Sequence, residues 1–413
     1  MAKTFPFRPY RYTAAAGPVE SLVTQPYDKI SPAMQARYLS LNPHNLVRII
    51  LGERFPTDSE SDNVYTRAAS YLNEWIAKGV LAREAEPSFF VYFQEFTVPD
   101  TGERLVRKGF IGLGAVEDYS AGIVHRHEHT LSGPKKDRLE VLRHTHAHFG
   151  QIFMLYPDRE GATDRLLDEA AQGAPDVSVT DEYNAVHRLW KICDPARIQS
   201  IQELMSDKKL LIADGHHRYE TALNFRNQNP EMADARNVMM TFVNMYSPGL
   251  RILGTHRLVN GLEGFDAEAF LNKTKEGFRL TELKNQDALR AAWSEPHPET
   301  IRIGVAIGER LFLLETGRDG RLDVNVLHEN LLRDALGITE EAVREEKYLR
   351  YIRGVDVAIA DVRKGAAQIG FLLEPPSVDQ VAEISFSGGV MPQKSTDFYP
   401  KLLSGLTIYK LEK

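Results

Sequence analysis

The sequence contains one cysteine, Cys193, among its 413 residues. It therefore cannot form an intrachain disulfide bond, and a cysteine-rich zinc site is excluded. No stretch approaches the roughly 20 apolar residues that a membrane-spanning helix needs. The segment Met1–Gly17 also lacks the continuous apolar core of a signal peptide. These absences predict a cytoplasmic protein with no membrane partner.

An excess of positive charge is absent as well. The formal net charge is −7, which argues against a nucleic-acid partner, because DNA and RNA attract proteins through Lys and Arg. Hydrophobic residues make up 43% and charged residues 26% of the chain, as in soluble globular proteins. The length is that of two or three domains.

The pattern of strands and helices indicates a mixed α+β fold. Phe89–Val98 and Arg104–Val116 read as a hairpin around a Pro-Asp-Thr-Gly turn, and Asp62–Lys78 reads as a long amphipathic helix. From about residue 250 the chain has its own alternation of strands and helices. We therefore expect one unit over residues 1–250 and an α/β region over residues 251–413.

The most informative stretch is the run from Leu210 to Leu223, which reads as a buried strand, an Asp-Gly turn and a helix. Asp214 is expected at or near the N-cap, and Gly215 tolerates the backbone angles of such a corner. The free N–H groups of the first helical turn, the helix dipole and Arg218 would converge on one point. Such a point favours an anion, most readily a phosphate. His216 and Glu220 lie one turn apart on the same face.

A second cluster surrounds Glu128, in the segment His125–His129. A helix beginning at Pro134 and running to about Phe149 would place Lys135 and Arg138 on one face. The set predicts a general base, Glu128, with two cations directed at a phosphate. In the alternative interpretation, His127, Glu128 and His129 bind a metal ion, because imidazole and carboxylate suit zinc, iron or manganese.

Two further segments carry candidate residues. Lys394, Ser395 and Thr396 follow a proline and could begin a helix, which would make a second anion-binding terminus, although the P-loop frame is missing. Asp28 lies in a Pro-Tyr-Asp loop, where its carboxylate could hold a metal or a substrate amine.

These motifs, in this order, resemble the bacterial and archaeal family known as domain of unknown function 1015. The Asp-Gly-His-His-Arg core is also similar to that of free serine kinases, whose fold is shared with ParB and sulfiredoxin. The resemblance implies a mixed-sheet, ParB/sulfiredoxin-like nucleotide-binding core. Gly215, His216, His217 and Arg218 would then hold nucleotide phosphates, with Asp214 on the turn. Kinases of this type use a glutamate as the base, for which Glu128 is the first candidate and Glu220 the second.

The leading hypothesis is a phosphotransferase that acts on a small hydroxyl compound such as free L-serine, with ATP or ADP as donor. Mg²⁺ would be held by Asp28 or Asp214 together with water, and Lys135 or Arg138 would stabilise the transferring group. One alternative is a ParB-type nucleotide-binding switch. A second is a metal-dependent hydrolase that uses the histidines near residues 125–129 and 216–217. Assembly into a homo-oligomer stays open.

Overall fold

Apolar strands of the first 250 residues build a mixed, nine-stranded sheet in the computed structural model, which describes residues 1–99, 101–128 and 132–412. The strands of this part of the chain are β1 Thr4–Phe5, β2 Tyr10–Tyr12, β3 Leu81–Arg83, β4 Phe89–Thr97, β5 Arg104–Ala115, β6 Val124–His125, β7 Ala147–His148, β8 Ile152–Tyr156, β9 Val177–Thr180, β10 Val186–Ile192, β11 Leu210–Asp214 and β12 Asn237–Asn244. The order across the sheet is β6-β11-β8-β12-β5-β4-β10-β9, and β1 also pairs with β5.

The predicted hairpin is confirmed, because β4 and β5 pair antiparallel from Phe90 opposite Ile111 to Thr97 opposite Arg104. The sheet is mixed because β6 runs parallel to β11 and β8 runs parallel to β12. All five residues of β8 are buried, which is typical of a strand that is covered on both faces. The mixed α+β class predicted from the sequence is therefore the class observed.

α-Helices alternate with these strands in the same part of the chain. They are α1 Pro32–Leu41, α2 Val47–Ile50, α3 Val64–Ala77, α4 Ser132–Thr145, α5 Ala162–Ala170, α6 Pro195–Met205 and α7 His216–Gln228. The long helix predicted over Asp62–Lys78 corresponds to α3, which Asn63 caps through its side chain. The helix predicted to reach Phe149 ends earlier, because His146 adopts a positive φ of 48° and β7 then pairs with β21 (Tyr409–Lys410).

A second sheet forms after residue 250. The strands of this part of the chain are β13 Arg251–Leu253, β14 Thr255–Val259, β15 Arg279–Leu283, β16 Thr300–Ile307, β17 Arg310–Gly317, β18 Leu349–Arg353, β19 Ile369–Leu372 and β20 Asp397–Tyr399. Six of them form an antiparallel sheet in the order β15-β17-β16-β19-β14-β18. The helices of this part of the chain are α8 Ala267–Thr274, α9 Gln286–Ser294, α10 Asp323–Val326, which continues into a π-helix over Leu327–Ala335, α11 Glu340–Arg344, α12 Val355–Arg363 and α13 Val378–Phe386.

The C-terminal segment returns to the first sheet. β20 pairs with β13, β21 pairs with β7, and Phe398 and Leu403 belong to the same buried cluster as Phe153 and Leu211. This return places residues 394–401 at the end of β11, where several of them belong to the candidate site described below. The division at residue 250 stays a prediction. In the part of the chain that the structure describes, no helix has the length and apolar character needed to cross a membrane.

Candidate functional site

The predicted strand, turn and helix are present as β11, Gly215 and α7. Gly215 has a φ of +97°, a conformation that glycine adopts without strain. A Cβ atom at this position would lie 3.0 Å from the guanidinium carbon of Arg218, so a larger residue would also displace that side chain. Glycine is therefore required at this corner both by the backbone and by the packing of Arg218.

Asp214 does not cap α7, which corrects the expectation from the sequence. Gly215 occupies the N-cap position and, as a glycine, provides no side-chain cap. The Asp214 carboxylate instead accepts from Arg218 Nη2 at 2.6 Å and from Lys401 Nζ at 3.0 Å. Arg218 also donates to the carbonyl oxygen of Gln151. Both residues thus belong to an ion-pair network, and Arg218 is held at the base of the helix.

The network continues through Lys401, whose side chain is only 7% exposed. Its Nζ also lies 3.1 Å from the Asp397 carboxylate, which Arg353 binds through two nitrogens, one of them at 2.8 Å. Burial opposes a charge on Lys401, but Asp214 and Asp397 raise its pKa to about 12. Burial likewise opposes charge on Asp397, yet Lys401 and Arg353 lower its pKa to about 2. All of these groups are therefore ionised at neutral pH.

Two buried histidines lie beside this network. His127 donates from Nδ1 to the Ile212 carbonyl oxygen at 2.7 Å, since a carbonyl can only accept. Its Nε2 therefore accepts from the Thr396 hydroxyl at 2.6 Å. The rings of His127 and His216 meet edge to face, with centroids 4.6 Å apart. Burial lowers the pKa of His127 to about 4 and that of His216 well below its usual value, so both imidazoles are neutral.

Glu128 faces His216, with Oε1 3.4 Å from Nδ1 of that ring. Burial and the nearby Asp214 raise the pKa of Glu128, while Lys394, Lys401 and His217 act in the opposite direction. A carboxylate with a raised pKa and one-quarter of its side chain exposed is suited to accept a proton from a bound molecule. Glu128 therefore has the properties expected of a general base.

Glu220, the second candidate base, is surrounded by cations. Lys135 forms an ion pair with it, and Arg126 Nη1 lies 3.6 Å from Oε1. Arg138 points elsewhere: its guanidinium lies 4.0 Å from the centre of the Tyr27 ring and donates to the Ile50 carbonyl at 2.7 Å. Lys135 and Arg138 therefore have different partners, although both belong to α4.

Lys394, Ser395 and Thr396 do not begin a helix, contrary to the prediction. Lys394 takes a positive φ of 58° in a turn that leads directly into β20. Its carbonyl accepts from Arg257 Nη2 at 3.1 Å, and Ser395 donates to the Pro392 carbonyl at 2.5 Å. Tertiary contacts thus hold this segment in a turn that presents Thr396 to His127.

Lys29 is a cation of the site that the sequence did not single out. It lies in the 3-10 helix Tyr27–Lys29, with Nζ 3.7 Å from Asp28. Burial and the like charges of Lys401 and Lys394 lower the pKa of Lys29, while Asp28 and Asp214 act in the opposite direction. The carboxylates of Asp28 and Glu128 suit Mg²⁺, whereas both oxygens of Asp214 are already engaged in ion pairs.

Several predicted residues are brought together, namely Asp28, Glu128, Asp214, Gly215, His216, His217, Lys394 and Thr396. Lys401 and Arg353 were missed as site residues. The sequence signal for Lys401 was its position at the end of the motif Met391–Lys401, which contains the Lys-Ser-Thr run. His129, which was a candidate metal ligand, lies outside the described residues.

The family described as "Protein of unknown function (DUF1015)" matches residues 4–343. The chain belongs to this family. The match ends before the segment 391–401, which supplies Thr396, Asp397 and Lys401 to the site of this DUF1015 protein. No curated protein matches the chain.

Solved structures show a loose similarity to this DUF1015 protein. A conserved hypothetical protein from Pyrococcus furiosus has a TM-score of 0.35 and 16% identity, over 67% of this chain and 87% of that one. Free serine kinase in complex with AMP has a TM-score of 0.39 and 14% identity, over 70% and 88%. C-terminally truncated SbnI from Staphylococcus aureus has a TM-score of 0.36 and 10% identity, over 72% and 87%.

Proposed function

We propose that the protein is a nucleotide-dependent phosphotransferase that acts on a small hydroxyl compound, with free L-serine as one candidate. The observation that carries the proposal is that Glu128 lies 3.4 Å from His216, the first residue of α7, while Lys401 lies 3.0 Å from Asp214 at the end of β11. Lys29 and Lys394 add positive charge to this region, and positive charge favours an anion. Phosphoryl transfer depends chiefly on such charge neutralisation and on positioning.

The donor phosphates would lie at the N-terminus of α7. The positive end of the α7 dipole and the direction of the first-turn N–H groups favour an anion at this place. His217 is half-buried beside them and interacts electrostatically with Glu128 and Lys135. Lys394 and Lys29 supply positive charge, and Arg218 holds the corner through Asp214 rather than reaching towards the phosphates. The helix terminus with these two lysines is thus the proposed phosphate site.

Glu128 would take the proton of the acceptor hydroxyl. Mg²⁺, when bound by Asp28 and water, would neutralise charge on the donor phosphates. Lys135 forms an ion pair with Glu220 and can approach the same helix face, whereas Arg138 is occupied by Tyr27 and Ile50. Among the predicted catalytic cations, Lys135 is therefore the better candidate.

The proposal also includes the fold family of the first 250 residues and the division of the chain into domains. The first unit would be a ParB/sulfiredoxin-like core in which β11, Gly215 and α7 bind the nucleotide. The units 1–250 and 251–413 would be separate domains, with the C-terminal segment returning to complete the site. The conformation of the C-terminal segment and the binding of substrate would then be coupled.

We expect ATP or ADP with Mg²⁺ to bind saturably in calorimetric titrations that also include CTP and GTP. His217→Ala and Lys394→Met should each weaken the binding by about 1.5–3 kcal/mol, the usual contribution of a hydrogen bond to a charged group. His144→Ala is the matched control, because this histidine stacks on Tyr65 at 5.7 Å and lies outside the site.

No binding of any of the four nucleotides would refute the proposal. Binding without transfer to a panel of small alcohols that includes L-serine would favour the ParB-type switch instead.

A metal-dependent hydrolase is the second candidate, because His127, Glu128 and His216 place three ligand atoms within 4.8 Å of one another. Two ligands of a tetrahedral ion with bonds of about 2.0–2.1 Å lie roughly 3.3–3.4 Å apart. The separation of 3.4 Å between His216 and Glu128 fits this spacing. His127 also has the backbone carbonyl partner that metal-binding histidines commonly have.

If this second candidate is right, Co²⁺ should give the visible absorption bands of a tetrahedral site at one ion per chain. His216→Ala should abolish these bands, whereas His125→Ala should retain them, because His125 bonds to the carbonyls of Gly122 and Ser385 outside the cluster. Absence of the bands in the wild-type protein would eliminate the metal candidate. Glu128 would then remain available as a base.

A further inference from the structure

A cavity of about 410 Å³ lies beside the six-stranded sheet, separate from the ion-pair network. Its lining includes Arg257 from β14, Arg318, Asp323, the loop around Glu374, and Ser395. The volume is in the range of small-molecule sites, which measure about 300–1,000 Å³. Nothing in the proposed phosphotransferase mechanism uses this space.

Arg257 is the unusual member of this lining, because its side chain is buried and only 1% of the residue is exposed. It donates to the carbonyl oxygens of Thr255 and Lys394, the second at 3.1 Å. Its Nε is buried without a hydrogen-bond partner. No carboxylate among the described residues lies within ion-pair distance of Arg257. A buried guanidinium without an anionic partner is costly for stability.

The other titratable groups of the lining already have partners among themselves. His297 Nε2 lies 2.8 Å from the Glu374 carboxylate, and Arg318 Nη2 lies 2.9 Å from Asp323. These pairs leave Arg257 as the charge that a ligand would neutralise. Ser377 and Gln380, which also line the cavity, can form hydrogen bonds with neutral polar groups.

We propose that this cavity binds a small organic carboxylate, with Arg257 as the residue that neutralises its charge. A guanidinium matches a planar carboxylate with two parallel N–H donors, and Arg257 has five donors, of which the two carbonyl bonds use two. The neighbouring ring of Tyr351, whose centre lies 5.3 Å from the guanidinium carbon, holds the side chain in place.

The cavity adjoins the proposed phosphate site through the segment 394–396. Arg257 binds the Lys394 carbonyl, Ser395 lines the cavity, and Thr396 donates to His127. A ligand that draws Arg257 towards itself would therefore act on the turn that presents Lys394 and Thr396. The binding of the carboxylate does not depend on the proposed function, because Arg257, the residue that neutralises its charge, is not assigned to the nucleotide.

The test is calorimetric titration of the full-length, nucleotide-free protein with D-glycerate, L-serine, L-malate, citrate and inorganic phosphate. We expect saturable binding of at least one carboxylate, weakened about tenfold or more in Arg257→Met. Binding of phosphate alone would overturn the carboxylate assignment. Absence of binding by any probe at millimolar concentration, or equal affinities for wild type and variant, would overturn the site.

Two further measurements show whether weaker binding by Arg257→Met comes from the lost guanidinium or from a folding defect. Arg257→Met should melt at the same temperature as the wild type or higher, because methionine removes an uncompensated buried charge. Arg302→Met is the matched control: its guanidinium already donates to Glu315 at 3.0 Å in the same sheet, so carboxylate binding should not change. Since no nucleotide is present, failure of this inference and failure of the phosphotransferase proposal are separate outcomes.

Discussion

Asp214→Asn is expected to lower the free energy of unfolding at pH 7 by about 3–5 kcal/mol, the effect of removing one partner from a buried ion-pair network. The variant keeps the shape of the side chain but removes the negative charge between Arg218 and Lys401. Among the described residues, Asp397 would remain as the carboxylate partner of Lys401, and the Gln151 carbonyl would remain as an acceptor for Arg218. Denaturant-induced unfolding of both proteins measures the difference.

The pH dependence provides a second check of the same effect. Burial raises the pKa of Asp214, but Lys401, Arg218 and Lys29 together hold it well below the usual range. A carboxyl group with a lowered pKa in the folded state stabilises the protein above its unfolded pKa of about 3.9. The stabilisation by Asp214 is lost as the pH falls below this value, towards the lower pKa of the folded state. The difference between wild type and Asp214→Asn should therefore be constant near neutral pH and shrink below about pH 4.

Asp168→Asn is the control for this prediction, because Asp168 forms an exposed ion pair with Lys108 at 2.7 Å. Its loss should cost no more than about 1 kcal/mol. Equal stabilities of the wild type and Asp214→Asn would contradict a stabilising role for the Asp214 ion pairs.

Glu128→Gln is expected to reduce phosphate transfer by about 10²–10⁴-fold, the usual contribution of general acid–base catalysis. Nucleotide affinity, measured by calorimetry, should change little, because Glu128 is assigned to the acceptor and not to the donor phosphates. In the wild type, the rate should rise with pH through the raised pKa of Glu128, since only the ionised carboxylate accepts a proton.

Glu220→Gln separates the two candidate bases. Glu220 is held by Lys135 and Arg126, so its loss should alter the position of Lys135 but should not remove the proton acceptor. The rate of Glu220→Gln should therefore fall much less than that of Glu128→Gln, and its pH profile should keep the wild-type midpoint. The reverse order of effects would assign the base to Glu220.

Prediction from the sequence succeeded where neighbouring residues determine the structure. The hairpin of β4 and β5 and the corner at Gly215 were predicted from alternating apolar residues and turn residues. The two errors at the site concern side chains whose partners are distant in the chain. Asp214 was expected to cap α7, and Lys394 was expected to begin a helix.

Both errors have the same origin. An Asp before a Gly commonly caps a helix, but Lys401, which is 187 residues away, takes one of the Asp214 carboxylate oxygens. A Lys-Ser-Thr run after a proline can begin a helix, yet Arg257 and His127 bind this segment as a turn. Local propensities are worth about 1 kcal/mol or less per residue, so buried charged contacts override them.

The order of residues was sufficient to predict the class of fold, the strand–turn–helix corner and a set of histidines, acids and cations suited to a phosphate. The folded chain was needed to find that Glu128 meets His216, that Lys401 lies between Asp214 and Asp397, and that Arg257 is buried with no carboxylate of the described residues in ion-pair range. Helices and turns follow from contacts within a few residues, which a sequence shows directly. The partners of buried charges follow from how distant segments pack, which depends on the whole chain at once.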